Sequence, residues 1–120
     1  MPLRLGFNLW LDSPEGVALS IWRVALLQAV ADTGSISAAA ARMGVHFRVA
    51  WKKIREMEER LGVPLVVGRA GGTGGGGADL TPDGMDVVRR FRALETGLEA
   101  ELERRAREHF ASWLEGDADA

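Results

Sequence analysis

Arg48, Lys52 and Arg55 stand at i, i+4 and i+7 of a segment in which Phe47, Ala50, Ile54, Met57 and Leu61 step by three or four. On a helix this spacing sets the three cations on the face opposite Ala50, Ile54, Met57 and Leu61. A cationic helical stripe suits the major groove of DNA, which admits one helix. There Arg can donate two hydrogen bonds to guanine, and Lys can reach a base or a phosphate. The plainer reading of the stripe is a solvated face. What precedes it favours DNA: four consecutive alanines, Ala38 to Ala41, and a break at Gly44 describe a small-residue helix closely joined to the cationic one.

The other candidates surround that pair. Ser37 is read as the N-cap of the alanine helix, where its hydroxyl and the first amides would meet a phosphate. His46 takes the N-cap position of the cationic helix, able to reach a phosphate or simply to cap. Phe47 could touch a thymine methyl group or pack, whereas Trp51 reads better as packing against the alanine helix and the segment that follows. Arg69 and the tract Gly71-Gly-Thr-Gly-Gly-Gly-Gly77 suggest a charged, flexible tip, with Gly72 and Gly74 letting backbone amides approach a minor-groove wall. The tract formally satisfies G-x-G-x-x-G, but six glycines in seven residues make that match nearly automatic. No framing strand and helix, and no following Lys-Ser/Thr, support a nucleotide site.

The elements that must position these residues follow from periodicity and punctuation. Leu3 to Leu11 alternates and predicts a strand, ended by the turn Asp12-Ser-Pro-Glu-Gly16. A first helix is predicted over 20–32 with Ser20 as N-cap and Thr33-Gly34 as the stop, a second over 37–43, and a third over 47–61. Leu65-Val-Val67 and Ala78-Asp-Leu80 around the glycines predict a hairpin, or wing, over 65–81. Thr81 caps the last helix with Pro82 at its first position. Its apolar stripe, Met85, Val88, Phe91, Leu94, Leu98, Leu102, Ala106, Phe110 and Trp113, is longer than one small domain can cover and predicts packing against a second copy. The expected organisation is a DNA-binding domain over 1–81 (helix-turn-helix 37–61), a dimerisation helix over 82–115 and a frayed acidic tail over 116–120. The fold class is mainly α with a small β component: a winged helix-turn-helix with an N-terminal strand and a long C-terminal helix.

Composition narrows the chemistry. A chain of 120 residues should bury roughly 65% of its unfolded surface and needs no staples. It has no Cys, which removes disulfides, thiolate metal sites and cysteine nucleophiles, and its two His, at 46 and 109, make no cluster. No apolar run is long enough to span a membrane and the N-terminus lacks a signal pattern, so a cytoplasmic protein is expected. The net charge of −2 hides an asymmetry. From Arg42 to Arg69 seven basic residues face three acidic ones, a balance of +4, while from Pro82 onward ten acidic face six basic, a balance of −4. Glu56-Met-Glu-Glu59 reads as a helix end in water, and Glu95, Glu99 and Glu103 as a solvated face. Neither pairs carboxylates in a pocket, so no enzyme, cofactor or metal is expected.

Thr33-Gly-Ser-Ile-Ser-Ala-Ala-Ala-Ala41, Ala50-Trp51, Leu61-Gly-Val-Pro-Leu65 and the glycine tract running into Ala78-Asp-Leu-Thr-Pro82 resemble the N-terminal domain of molybdate-dependent transcriptional regulators, the ModE family, over about residues 3–110. The first half is also similar to the broader LysR-type DNA-binding domain, where the glycine tract is not typical. The resemblance implies a winged helix-turn-helix that dimerises through its N-terminal strand, first helix and long last helix, and that recognises a palindromic operator with one half-site per subunit. By position it implies that Phe47, Arg48 and Lys52 face DNA, with Arg69 and the glycines in the wing. Members commonly continue into paired small β-barrel domains that bind molybdate; the sequence stops at Ala120 without them, so DNA binding is carried over and molybdate sensing is not. His46 stands where a small hydroxyl residue is usual.

The expectation is therefore a homodimeric bacterial transcriptional regulator that binds double-stranded DNA, with a separate sensor or effector protein as a further candidate partner. Two other classes stay open. One is a small oxyanion sensor, which titration with molybdate would reveal. The other is a dimeric protein-interaction adaptor, which has no need of a local +4.

Overall fold

A computed structural model describes residues 2–72 and 75–114, with side chains throughout these except at 71–76. The order is β1 (Trp10–Ser13), β2 (Gly16–Ser20), α1 (Ile21–Thr33), α2 (Ile36–Met43), α3 (Phe47–Leu61), β3 (Val66–Gly72), β4 (Gly75–Leu80), α4 (Pro82–Phe110) and a closing 3-10 turn, Ala111–Trp113. β1 and β2 form one antiparallel pair, β3 and β4 another. This is the winged helix-turn-helix expected from the sequence.

α1 is the hub. Val24, Leu26, Leu27 and Val30 have no exposed surface, because α2, α3, α4 and β4 pack around it. Ser20 accepts from the Arg23 amide and Gly34, at φ 71°, closes the helix, as predicted. α2 contributes Ala39 and Ala40 to the core, and their small side chains let it lie close to its neighbours. The cap of α2 differs from expectation. Ser35, extended at φ −156°, accepts from the Ala38 amide, so Ser37 sits exposed in the first turn. A single extended residue after Gly34 suffices, since Ile36 packs against the core and draws the helix start forward.

The N-terminal strand is also corrected. Of the predicted 3–11 stretch only Trp10 and Leu11 join a sheet, paired with Ser20 and Leu19. A strand needs a neighbour, and the neighbour is β2, which runs from the last residue of the predicted turn, Gly16, to the predicted cap, Ser20. Before it, Leu3 makes an isolated bridge with Leu114, and its amide donates to the Trp113 carbonyl at 2.6 Å.

α4 starts as predicted, with Thr81 accepting from the Gly84 amide and Pro82 in the first turn, but ends at Phe110. Only Gly84, Val88 and Phe91 of it are buried. Its 29 residues span about 43 Å, so the helix projects from the body and the molecule measures 59 Å along its longest axis. On the projecting part Arg104 and Arg105 bond Glu101 and hold its carboxyl down to about 2. Among the described residues no helix is long and apolar enough to cross a membrane.

Candidate nucleic-acid interface

The interface is built on α3, whose bounds and buried side, Ala50, Ile54 and Met57, match the sequence expectation. Gly44, at φ 71°, ends α2 in the left-handed conformation, and the amides of Gly44 and Val45 donate back to Ala41 and Ala40. Two residues later, after an extended His46, α3 begins. His46 holds the N-cap position but makes no side-chain capping bond, and its ring is exposed. Arg48 and Lys52 are exposed one turn apart on the outer face.

The structure sorts the local cations. Arg42 pairs with Asp32 at 2.9 Å, Arg69 with Asp79 at 3.0 Å, Arg55 with Glu58 at 3.5 Å, and Arg60 and Lys53 both approach Glu56. Arg48 and Lys52 form no ion pair among the described residues, and so keep their charge for a partner. Arg55, the third member of the stripe, also lies over the Trp51 ring, 5.3 Å from its centroid.

Trp51 meets the sequence reading only in part. Expected to pack against α2 and the wing, it is 47% exposed, with Phe47 at 48% one turn earlier. Both residues line the space between α3 and the wing. Phe47 does so with Ser35, Ile36, Ser37, Gly77 and Ala78, which brings two candidate residues, Ser37 and Phe47, to one groove. Trp51 and Arg55 line an adjoining groove that shares Ile36, Gly77 and Ala78.

Arg69 is held at the root of the wing, donating to the Gly34 carbonyl at 2.9 Å besides its pair with Asp79. Gly72 ends β3 opposite Gly75. Gly74 lies outside the described residues.

Two carboxylates assigned to water on sequence grounds are engaged. Glu58 accepts from the Leu65 and Val66 amides, at 2.8 and 3.3 Å, joining the end of α3 to the start of the wing. Glu56 accepts from Arg23 at 2.9 Å. Arg23 is only 8% exposed and is the charged residue within the core. Its hydrogen bond, aided by Lys53 and Arg60, holds the Glu56 carboxyl below the usual carboxylate range against the opposing effect of burial. Arg60 in turn donates to the Val17 carbonyl at 2.7 Å. α3 is thus tied to α1, β2 and the wing at once. The one sequence signal for this network is an arginine inside the apolar run of α1.

A tri-helical core, a two-stranded wing and a helix presenting unpaired cations define a helix-turn-helix domain of the regulatory kind. Residues 21–85 match the family described as bacterial regulatory helix-turn-helix protein, lysR family, and the chain belongs to that family. It is 42% identical over 83 residues to the molybdenum-pterin-binding protein MopB of Rhodobacter capsulatus, covering 69% of this chain and 31% of MopB. It is 42% identical over 94 residues to the molybdenum transport protein ModE of Azotobacter vinelandii, covering 78% and 35%. With the DNA-binding transcriptional dual regulator ModE of Escherichia coli (strain K12) it shares 39% over 72 residues, covering 60% and 28%. The chain spans about a third of the length of these curated relatives. Among solved structures, the CbnR_DBD–DNA complex superposes with a TM-score of 0.56 at 26% identity, over 72% of this chain and 95% of that one. Vibrio fischeri DarR, solved in complex with DNA, shares the fold at a TM-score of 0.55 and 22% identity, over 71% and 27%.

Proposed function

We propose that this domain binds double-stranded DNA as a homodimer on a palindromic operator and thereby regulates transcription in the bacterial cytoplasm. The observation that supports it best is the pair Arg48 and Lys52, exposed and without ion-pair partners on a helix fixed to the rest of the fold. α3 enters the major groove with Arg48 toward a base edge and Lys52 toward base or phosphate. Ser37 and the first amides of α2 meet a phosphate, as does the His46 ring. The wing, with Arg69 bonded to the turn after α1 and with the glycines of its tract, Gly72 and Gly74 among the candidates, follows the adjoining minor groove. Arg55 serves more through its place over Trp51 than as a free charge. Two of these relatives carry molybdenum in their names, and by that kinship the regulated genes belong to the metabolism of molybdenum or another oxyanion.

The test is fluorescence anisotropy on a duplex across a salt series, comparing wild type with Arg48→Ala/Lys52→Ala. Contacts to phosphate release counterions, so a steep negative slope of log affinity on log salt is expected, flattened in the double variant. Arg48→Ala alone is expected to cost on the order of 1–3 kcal/mol and to relax preference at one base pair. Absence of binding at low salt would overturn the proposal and leave the adaptor as the reading to pursue.

A further inference from the structure

We infer that Phe47 and Trp51 form an apolar reader of thymine C5-methyl groups in the major groove, an inference that rests on the DNA-binding reading of α3. Single exposed aromatics are ordinary on protein surfaces. Here two large rings stand one turn apart on one helix, each about half exposed. Their grooves adjoin and share Ile36, Gly77 and Ala78, so α2 and β4 supply a common apolar floor. The Trp51 ring is backed by the Arg55 guanidinium, itself 3.5 Å from Glu58. Arg48 and Lys52 lie immediately beside the rings in sequence and bear unpaired charge.

The occupant must therefore offer anionic walls with apolar groups between them. Duplex DNA does so in one way: the phosphates line the groove, and the apolar group it presents to a major-groove helix is the methyl of thymine. A protein partner of acidic character would match the cations but would leave the two rings flanking them unexplained. The rings would add to affinity by removing methyl surface from water, a contribution that salt does not screen. They would favour thymine where hydrogen-bond groups alone would tolerate uracil.

A duplex pool with a randomised centre is enriched on the wild-type protein, and the enriched duplex is then synthesised with uracil in place of thymine at one position at a time. Uracil keeps every hydrogen-bonding group and removes only the methyl. At one or two positions the wild type is expected to lose about fourfold in affinity, the factor that ~0.8 kcal/mol per buried methyl group gives. Phe47→Ala and Trp51→Ala are each expected to lose the preference at the position its own ring covers, while Arg48→Ala keeps the fourfold preference there. Equal binding of both duplexes by the wild type overturns the inference, and that measurement needs no variant. A thymine preference that survives at the same position in both aromatic variants overturns it as well. Failure to enrich or bind any duplex at low salt removes the underlying DNA-binding reading instead.

Discussion

The Arg69 guanidinium donates to the Gly34 carbonyl at 2.9 Å, and the same oxygen accepts from the Ala78 amide at 2.9 Å. The turn between α1 and α2 is thereby bonded to both strands of the wing. Gly77 makes this possible. It sits opposite Arg69 in the strand register, and a Cβ there would lie 2.7 Å from the Gly34 oxygen and collide with the guanidinium. Gly77→Ala is expected to destabilise the domain by about 1–3 kcal/mol, as crowding in a packed site does. A lower denaturant midpoint would show it; an unchanged one would mean the wing root yields without cost.

The reassigned cap of α2 separates two neighbouring serines. Ser35→Ala removes the acceptor of the Ala38 amide and is expected to cost about 1 kcal/mol. Ser37→Ala touches an exposed first-turn residue and is expected to stay within about 0.5 kcal/mol of wild type. For DNA affinity the order is expected to reverse, since Ser37 is the one proposed to meet a phosphate. Paired unfolding and binding curves on the two variants check both halves.

Glu56 gives a pH dependence with a definite sign. Its folded pKa lies below the ordinary 4.5, chiefly through the hydrogen bond from Arg23. The stability it contributes is therefore present above about pH 4.5, the unfolded value, and is lost as pH falls through the depressed folded value. Chemical denaturation at a series of pH values should show wild type weakening below that point. Glu56→Gln is expected to be less stable at neutral pH by about 1.5–3 kcal/mol, the range for a hydrogen bond to a charged group. It should also lack this component of the acid loss. Parallel acid profiles would assign the loss to other carboxylates.

The projecting part of α4 carries Leu94, Leu98 and Phe110 on its surface, exposed by 41%, 37% and 52%. An apolar stripe on a helix that leaves its own core suits a second copy. Sedimentation equilibrium is expected to show a wild-type dimer and to find Leu94→Glu/Leu98→Glu monomeric, with helical content retained. A monomeric wild type would remove the homodimer from the proposed function. DNA affinity of the monomeric variant is expected to fall further on a two-half-site duplex than on a single half-site.

Local chemistry carried much of this fold. α3 is legible to the residue because its apolar period, His46 before it and Gly62 after it lie within one short window, and the wing is legible from Leu65-Val-Val67 and Ala78-Asp-Leu80 around the glycine tract. β2 escaped notice because Gly16–Ser20 is a short segment leading into α1, and nothing nearby shows that β1 turns back on it. The half-exposure of Trp51 is not legible in the sequence for a related reason. Helical spacing gives a residue's angle around its own helix, but it does not say how far the neighbouring wing covers that face.

The cationic stripe shows the same division. Sequence alone determined that Arg48, Lys52 and Arg55 share a face, since that follows from 3.6 residues per turn. Short-range pairing on the helix withdraws Arg55 from that stripe, and what only the tertiary structure decided is the pairing beyond the helix. Arg55 is drawn to Glu58 and Trp51 on its own helix, while the carboxylate that gathers Lys53 and Arg60 is bonded by an arginine 33 residues away in the chain. Periodicity and caps act over a few residues and are written in order along the chain. Ion pairing and exposure depend on which surfaces packing brings together, and the wing, α1 and α3 meet only in the folded molecule.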